Sequence, residues 1–228
     1  MLKSAMIATL GLLAIAGVAA YFAVGQFAGN TMKPAYNPEK HRLLYVAGGC
    51  FWCVEAIFED LNGIVEVESG YAGGDLPNPT YGEVSGGRTG HAEVVKIAYD
   101  PEVVPADDLL RIFMTTHNPT TLNRQGPDVG TQYRSAIFYR DDAEKALAQR
   151  ILQEIAKEGI YKDPIVTTVE PLKNYSRAEE YHQDYFRRYE QASSLERMSM
   201  NSGYCAAIIE PKVRKFREKY AARLRKGG

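Results

Sequence analysis

Cysteine is scarce in this chain, and there is no excess of charge of one sign. Three cysteines among 228 residues cannot all pair with one another, which excludes a scaffold held together by disulfides. A formal net charge of −1 gives no global indication of nucleic-acid binding. Internal repeats are absent, and no low-complexity tract follows the N-terminal region. The length suits one substantial domain with a hydrophobic core.

The N-terminal region is an uncharged, mostly apolar run. Lys3 precedes it, and the run extends over residues 5–24. About 20 apolar residues are enough to span a bilayer, and this run has no polar face that would suit a helix of a folded domain. We therefore expect residues 1–28 to be a membrane anchor or a signal peptide. We expect the domain on the periplasmic side of the membrane, with a cytoplasmic location as the alternative.

The rest of the chain divides into three parts. A polar linker with two prolines covers residues 29–42, the predicted domain covers residues 43–210, and a basic helix or tail covers residues 211–228. Short apolar runs predict strands over residues 43–47, 64–69, 92–99, 133–139 and 165–169. Predicted helices lie between these strands, so the fold class is α/β or α+β.

Two of the helix predictions depend on capping residues. Asp141 or Asp142 is expected to cap a helix that Gly159 ends. Ser176 and Glu179 have the spacing of a capping box, which predicts a helix from there to about residue 190.

Cys50 lies where a predicted strand meets a predicted helix. Gly48 and Gly49 end the strand, and apolar residues then recur at helical spacing. A helix N-terminus favours the thiolate form of a cysteine, and the glycines leave the sulfur open to a substrate. Phe51 and Trp52 are expected to line a pocket beside this sulfur. The alternative is that both aromatic residues belong to the core and that Cys50 is inert.

Glu93 is the second candidate for chemistry. In a strand it shares one face with Val95 and Ile97, and a carboxyl group at the end of an apolar face has a raised pKa. Such a group can act as a general acid; the alternative is a carboxylate that points to solvent. His91 and His182 have no second ligand at metal spacing, and His182 is expected on a helix surface.

Two further cysteines can take part in redox chemistry. Cys53 forms a C-x-x-C motif with Cys50, and Cys205 lies in a segment that we expect to be flexible. A thiol on a mobile loop can reach a sulfenic acid and form a disulfide, although Cys205 can equally be an incidental buried residue. Two functions fit parts of this pattern: thioredoxin-like disulfide exchange, and hydrolysis by a Cys50–His91 pair.

Taken together, the motifs resemble those of the A-type peptide methionine sulfoxide reductases. The similarity covers residues 43–205 and keeps the family's order and spacing. It is carried by Gly49-Cys50-Phe51-Trp52 with Glu55, Gly70-Tyr71-Ala72-Gly73-Gly74, Asn78-Pro79-Thr80-Tyr81, Thr89-Gly90-His91-Ala92-Glu93, Gln125-Gly126, Asp128 and Gly130-Thr131-Gln132-Tyr133-Arg134-Ser135.

The resemblance implies a fold and an activity. The fold is α+β, a two-layer sandwich with a ferredoxin-like mixed sheet as its core, to which the N-terminal hydrophobic helix and the C-terminal basic helix are added. The activity is reduction of methionine S-sulfoxide, free or in proteins, which repairs oxidised proteins. Cys50 would attack the sulfoxide sulfur and become a sulfenic acid, and Glu93 would protonate the oxygen. Other roles would fall to Tyr81 and Tyr133 (oxygen binding), Phe51 and Trp52 (methyl group) and Asp128 (polar rim).

The resemblance also implies how the enzyme is recycled. Cys205 would be the resolving cysteine, and thioredoxin or a similar dithiol protein would reduce the disulfide without any metal or organic cofactor. Many relatives have Gly where this chain has Cys53. We therefore hypothesise that Cys50–Cys205 forms first and that Cys53 or the external reductant opens it; direct Cys50–Cys53 closure is the competing route. A monomer is expected. The alternative to an enzyme is a membrane-tethered module that binds oxidised methionine without reducing it.

Overall fold

The computed structural model describes residues 35–225, so the predicted anchor, residues 29–34 of the linker and the last three residues of the basic tail lie outside the described residues. Within residues 35–225, none of the helices is both long and apolar enough to cross a membrane. The first half of the domain consists of β1 (Arg42–Gly48), α1 (Phe51–Glu59), β2 (Ile64–Ala72), α2 (Tyr81–Ser85), β3 (Ala92–Tyr99) and α3 (Ala106–Thr116).

Apart from one long helix, the second half contains shorter elements. In chain order these are β4 (Arg124–Gln125), β5 (Asp128–Val129), β6 (Ser135–Tyr139), α4 (Asp142–Glu158), β7 (Thr168–Pro171), β8 (Ser176–Arg177), α5 (Tyr185–Gln191), α6 (Ser194–Arg197), α7 (Ser202–Tyr204) and α8 (Glu210–Lys219). Between α7 and α8 the chain stays helical over Cys205–Ile209, in a wider π turn. The class is therefore α+β.

Six strands form one mixed sheet in the order β7-β6-β1-β3-β2-β8. All neighbours are antiparallel except β6 and β7, which run parallel. The central strand β1 places Val46 opposite both Val95 of β3 and Ile137 of β6. Strands β4 and β5 form a separate small hairpin. The loop after β1 and the start of β3 therefore lie in the centre of the main sheet.

The two faces of the sheet carry different cores. Val95 and Ile97 belong to the larger core, which the helices cover, and both are fully buried. Ala92 and Val94 point the other way and form a small core with Phe138. Because side chains alternate along a strand, Glu93 lies on the helix-covered face.

Several local predictions are confirmed. Strand β3 occupies residues 92–99 as predicted. The Asp141 side chain accepts a hydrogen bond from the Glu144 N–H and so caps α4, and Gly159 ends this helix in the left-handed region with a φ of 66°. The local signals succeeded here because cap, apolar spacing and stop residue agree.

The predicted capping box at Ser176 is wrong. Ser176 belongs to β8 and pairs with Tyr71 at the edge of the sheet. The helix of this region begins at Tyr185, after Asp184 has adopted a φ of 52°. The strand predicted over residues 165–169 is likewise displaced to Thr168–Pro171. In the first case, pairing with a distant strand outweighs the local capping signal.

The segment of residues 191–205 also differs from its prediction as a loop. It contains two short helices, and the side chain of Cys205 is fully buried. The expected flexible position of Cys205 is therefore wrong, because its side chain packs into the larger core.

Candidate active site

Cys50 is the N-cap residue of α1, at the point where the central strand β1 ends. The Cys53 N–H donates to the Cys50 carbonyl over 3.1 Å and closes the first turn. Gly49 has a φ of 91°, and a Cβ atom here would lie 2.6 Å from the Gln125 side chain. Only glycine fits this turn without strain. The turn holds the Cys50 side chain at the pocket wall, with 8% of the residue exposed.

The protonation state of Cys50 differs from the prediction. Burial raises the pKa of the Cys50 thiol well above its ordinary value, and Cys53 and Glu93 raise it further. A hydrogen bond with the Tyr204 hydroxyl acts in the opposite direction. Desolvation of the anion thus outweighs the effect of the helix N-terminus. Cys50 is therefore a neutral thiol in the free protein rather than the expected thiolate.

Glu93 is buried beside Cys50, with 2% of the residue exposed. One of its carboxyl oxygens accepts a hydrogen bond from the Phe51 N–H over 2.9 Å. Burial raises the pKa of Glu93 to about 8, although the Phe51 N–H lowers it. The carboxyl group is consequently protonated at neutral pH, and the alternative of a solvent-facing carboxylate is wrong.

A pocket of about 160 Å³ contains both groups. It brings together seven of the nine predicted site residues and adds Asn201 and Tyr204, which the sequence analysis missed. Its lining residues are Cys50, Phe51, Trp52, Tyr81, Glu93, Asp128, Tyr133, Asn201 and Tyr204.

Two tyrosine hydroxyl groups are available as donors in this pocket. Tyr81 is the first residue of α2, and its N–H donates to a Glu179 carboxylate oxygen over 2.8 Å. Burial raises the pKa of Tyr81 to about 12, and burial together with Glu93 also raises the pKa of Tyr133. Both hydroxyls therefore keep their protons and can donate hydrogen bonds to a bound oxygen.

Aromatic rings form the apolar wall of the pocket. Trp52 is stacked on Tyr185 with ring centroids 3.8 Å apart and an angle of 7° between the planes. Phe51 is 1% exposed, so it belongs to the core and contributes one edge to the pocket. His182 packs 4.9 Å from Phe51 and 4.5 Å from Tyr81, centroid to centroid.

The predicted surface position of His182 is thus wrong, because this ring contact leaves it 1% exposed. Burial lowers its pKa to about 4, so the ring is neutral and packs as an aromatic group.

The buried carboxyl group of Glu55 holds Tyr185, the residue on which Trp52 is stacked. Glu55 of α1 accepts hydrogen bonds from the Ser69 hydroxyl over 3.1 Å and from the Tyr185 N–H over 3.2 Å. Burial raises the pKa of Glu55 to about 8. Glu55 therefore joins β2 and α5 to the helix that begins at Cys50, and it holds Tyr185 against Trp52.

Asp128 and Tyr204 form the polar side of the pocket. The Tyr204 hydroxyl donates to an Asp128 carboxylate oxygen over 2.6 Å. The same hydroxyl interacts with the thiols of Cys50 and Cys53, and burial raises the pKa of Tyr204. In the sequence, the only indication that Tyr204 belongs to the site was its position directly before Cys205.

All three cysteines are free and buried. A hydrogen bond with Cys50 lowers the pKa of Cys53 to about 7, and the positive charge of Lys212 contributes to this decrease. Burial, with the charge of Cys53, raises the pKa of Cys205 to about 11. Cys53 is therefore in contact with Cys50, whereas Cys205 is buried in the core and influenced by Cys53.

His91 does not take part in this site. It is 1% exposed, and its Nε2 atom is 2.7 Å from the Leu76 carbonyl oxygen. A Cβ atom on Gly74 would lie 2.3 Å from the His91 ring, so the two residues fix the loop before β3. This placement does not support a hydrolase that depends on a Cys50–His91 pair.

Comparison with known proteins gives a consistent result. A family model described as peptide methionine sulfoxide reductase matches residues 42–224. A peptide methionine sulfoxide reductase of Deinococcus radiodurans is 47% identical over 179 residues, which are 78% of this chain and 82% of that protein. A second, from Picrophilus torridus, is 50% identical over 176 residues, which are 77% of this chain and 93% of that protein.

Solved structures are similar as well. The reduced form of Mxr1 from Saccharomyces cerevisiae superposes with a TM-score of 0.63 at 36% identity, covering 70% of this chain and 92% of that one. The methionine sulfoxide reductase A of Corynebacterium diphtheriae gives a TM-score of 0.61 at 33% identity, covering 72% of this chain and 82% of that one.

Proposed function

The chain belongs to the peptide methionine sulfoxide reductases and is a thiol-dependent oxidoreductase that reduces methionine sulfoxide, and we propose that Cys50 and Glu93 are its nucleophile and general acid. One observation carries these roles. The Glu93 carboxyl group is buried and protonated in the pocket that contains the Cys50 sulfur, and the Phe51 N–H beside that cysteine holds it in place.

The proposed step is balanced in atoms and electrons. The Cys50 sulfur attacks the sulfoxide sulfur while Glu93 donates its proton to the oxygen. The oxygen moves to Cys50 as a sulfenic acid, and methionine leaves. The thiol proton of Cys50 returns Glu93 to its acid form. Cys50 loses two electrons and the substrate sulfur gains two, so no other reagent is needed in this half-reaction.

The remaining lining residues orient the substrate in this proposal. The hydroxyls of Tyr81 and Tyr133 donate hydrogen bonds to the sulfoxide oxygen, where negative charge develops. Phe51 and Trp52 contact the methyl group, and Asp128 with Tyr204 binds the polar end of the substrate. Because these groups differ on each side of the sulfur, the pocket can distinguish the two epimers, and membership of the family favours the S epimer.

We propose that recycling begins at Cys53. Its thiol is in contact with Cys50, and in the free protein the hydrogen bond with Cys50 and the charge of Lys212 lower its pKa, which favours the thiolate. Attack by Cys53 on the Cys50 sulfenic acid forms a disulfide and releases water. Cys205 then attacks Cys53, and thioredoxin or a similar dithiol protein reduces the final disulfide. This contact favours direct closure over the hypothesis that Cys50–Cys205 forms first.

Epimer-specific turnover tests the nucleophile and the acid. We expect methionine to form from the S epimer only, and Cys50→Ser to abolish it. Turnover that survives Cys50→Ser would refute the proposal.

A single-turnover experiment tests the order of the disulfides. After one equivalent of S-sulfoxide, we expect Cys205→Ser to contain a Cys50–Cys53 disulfide by mass spectrometry. Cys53→Ser should accumulate sulfenic acid that dimedone traps. Rapid formation of Cys50–Cys205 in Cys53→Ser, at the wild-type rate, would contradict the proposed order.

We assign the centre of the sheet to a ferredoxin-like core. The order strand–helix–strand–strand–helix–strand over β1, α1, β2, β3, α3 and β6, with strand order β6-β1-β3-β2, supports this assignment.

We also propose that residues 1–28 direct the chain to the membrane or across it, with the domain on the periplasmic side. The length and the uncharged character of residues 5–24 support this. Alkaline extraction of membranes from cells that express the full chain tests it. We expect retention in the membrane or cleavage after export, and a soluble chain with an intact N-terminus would contradict it.

A further inference from the structure

The protein contains a larger cavity, of about 440 Å³, outside the catalytic pocket. It lies between the end of α3, residues of α1 and the C-terminal helix α8. Its volume is in the range of small-molecule sites, about 300–1,000 Å³. None of its lining residues belongs to the set that surrounds Cys50. The cavity is therefore a separate candidate site.

Three lysines line one side of this cavity. Lys212, Lys215 and Lys219 are spaced three and four residues apart on α8, so they lie on one face of the helix. The lining contains no aspartate or glutamate among residues 35–225. In the described part of the chain, none of the three ammonium groups forms an ion pair with a carboxylate; Lys219 only approaches the Tyr220 ring, at 5.1 Å.

Two arginines near these lysines differ from them because each pairs with a carboxylate. Arg217 of α8 pairs with both Asp60 and Glu190, at 2.7 Å in each case. Arg223, just after the helix, pairs with Asp108 at 2.6 Å. The three lysines therefore add positive charge to the cavity face that no neighbouring carboxylate offsets. A cleft lined by charge of one sign concentrates the field and attracts ions of the opposite sign.

The rest of the lining combines polar and apolar groups. The Asn118 side-chain amide provides a donor near the end of α3, and Phe216, Tyr161 and Ile57 provide apolar surface. Lysine binds phosphate groups as a point charge. We propose that this cavity binds a small molecule that carries a phosphate group on an apolar or aromatic part.

The cavity is placed to influence recycling, an inference that rests on the proposed role of Cys53. Ile57 is one helical turn after Cys53 on α1, so both side chains lie on the same face. Lys212 is close enough to lower the pKa of the Cys53 thiol. Gln125 lines the cavity and packs against Gly49. A bound phosphate would offset the charge of Lys212 and make Cys53 less reactive.

Calorimetry tests binding independently of catalysis. The probes are phenyl phosphate and inorganic phosphate, titrated into the full chain. We expect phenyl phosphate to bind more tightly, and Lys215→Gln combined with Lys219→Gln to weaken it about tenfold or more. The matched control is Lys157→Gln, an exposed lysine on α4 outside the cavity, which should leave the affinity unchanged. Urea unfolding of each variant checks that the fold is intact.

Two results would overturn the site. One is that neither probe binds to the wild type. The other is that phenyl phosphate binds to the wild type and to the double lysine variant with equal affinity. Equal affinity for the two probes would overturn the apolar part of the assignment.

Thiol labelling tests the connection to Cys53. Peptide mapping after reaction with methyl methanethiosulfonate gives the labelling rate of this residue at neutral pH. We expect saturating phenyl phosphate to slow it several-fold, and Lys212→Gln to slow it without any ligand. An unchanged rate would overturn the connection. If the chain instead failed to reduce sulfoxide, the methionine assay would show this while leaving the calorimetry unaffected.

Discussion

Replacing Glu93 by glutamine separates the role of its proton from the role of its shape. The amide oxygen of Glu93→Gln can still accept the hydrogen bond from the Phe51 N–H, which spans 2.9 Å in the wild type. The variant loses only the transferable proton and the ability to ionise. A general acid contributes about 10²- to 10⁴-fold to a rate. We therefore expect kcat for the S epimer to fall by at least about 100-fold.

The same change should stabilise the fold at high pH. Burial raises the pKa of Glu93 from its ordinary value of 4.5 to about 8. Below the ordinary value, both the folded and the unfolded states hold the proton, and ionisation costs no stability. As the pH rises from there towards about 8, only the unfolded state releases the proton, at a cost of about 1.4 kcal/mol for each pH unit. Between about pH 5 and about pH 8, the free energy of unfolding of the wild type should thus decrease by about 3 kcal/mol because of this residue.

Urea unfolding at these two pH values measures the effect. The free energy of unfolding of the wild type should decrease from the lower to the higher pH by about 3 kcal/mol more than that of Glu93→Gln. Other titrating groups, such as Glu55, are present in both proteins and cancel in the comparison. An equal pH dependence in the two proteins would refute the buried, protonated state of Glu93. A kcat within threefold of wild type would refute its role as the acid.

Three further substitutions test other parts of the site. Tyr133→Phe removes one of the two proposed donors to the sulfoxide oxygen, and kcat should fall by about 100-fold with little change in KM; an unchanged kcat would contradict the oxygen-binding role. Tyr204→Phe removes the hydroxyl that donates to the Asp128 carboxylate over 2.6 Å. In steady-state kinetics, KM should rise about tenfold, by a larger factor than kcat falls; a larger effect on kcat than on KM would contradict the substrate-binding role. Gly49→Ala forces a Cβ atom into a residue with a φ of 91°, and urea unfolding should show a loss of about 2 kcal/mol. Gly82→Ala is its control, because no atom lies within 4 Å of the added Cβ; a similar loss in both would mean that the tight turn is not the cause.

Sequence patterns predicted the parts of the fold where local and distant interactions agree. Strand β3 alternates between two buried faces, and α4 has its cap, apolar stripe and stop residue in order. The placement of Cys50 at a strand–helix junction follows from Gly49 and the helical spacing after it. Glu93 was placed on the correct face by the period of two along the strand.

The failures occurred where tertiary contacts decide the structure. Ser176 has a capping-box partner at the correct spacing, yet it pairs with Tyr71 because the edge of the sheet is within reach. His182 was expected on a surface, but four aromatic rings surround it. The neutral thiol of Cys50 is a consequence of desolvation, which no pattern of neighbouring residues encodes.

The stacking of Trp52 on Tyr185 has a spectroscopic consequence. Trp52 is the only tryptophan in the chain, so all of the indole fluorescence originates at the wall of the catalytic pocket. Its ring lies flat against one tyrosine and edge-on to Tyr204, the residue that interacts with both thiols of the C-x-x-C motif. The emission of the unlabelled protein is therefore an intrinsic reporter of this one site. A change in quantum yield during a stopped-flow experiment would follow substrate entry and thiol oxidation in real time.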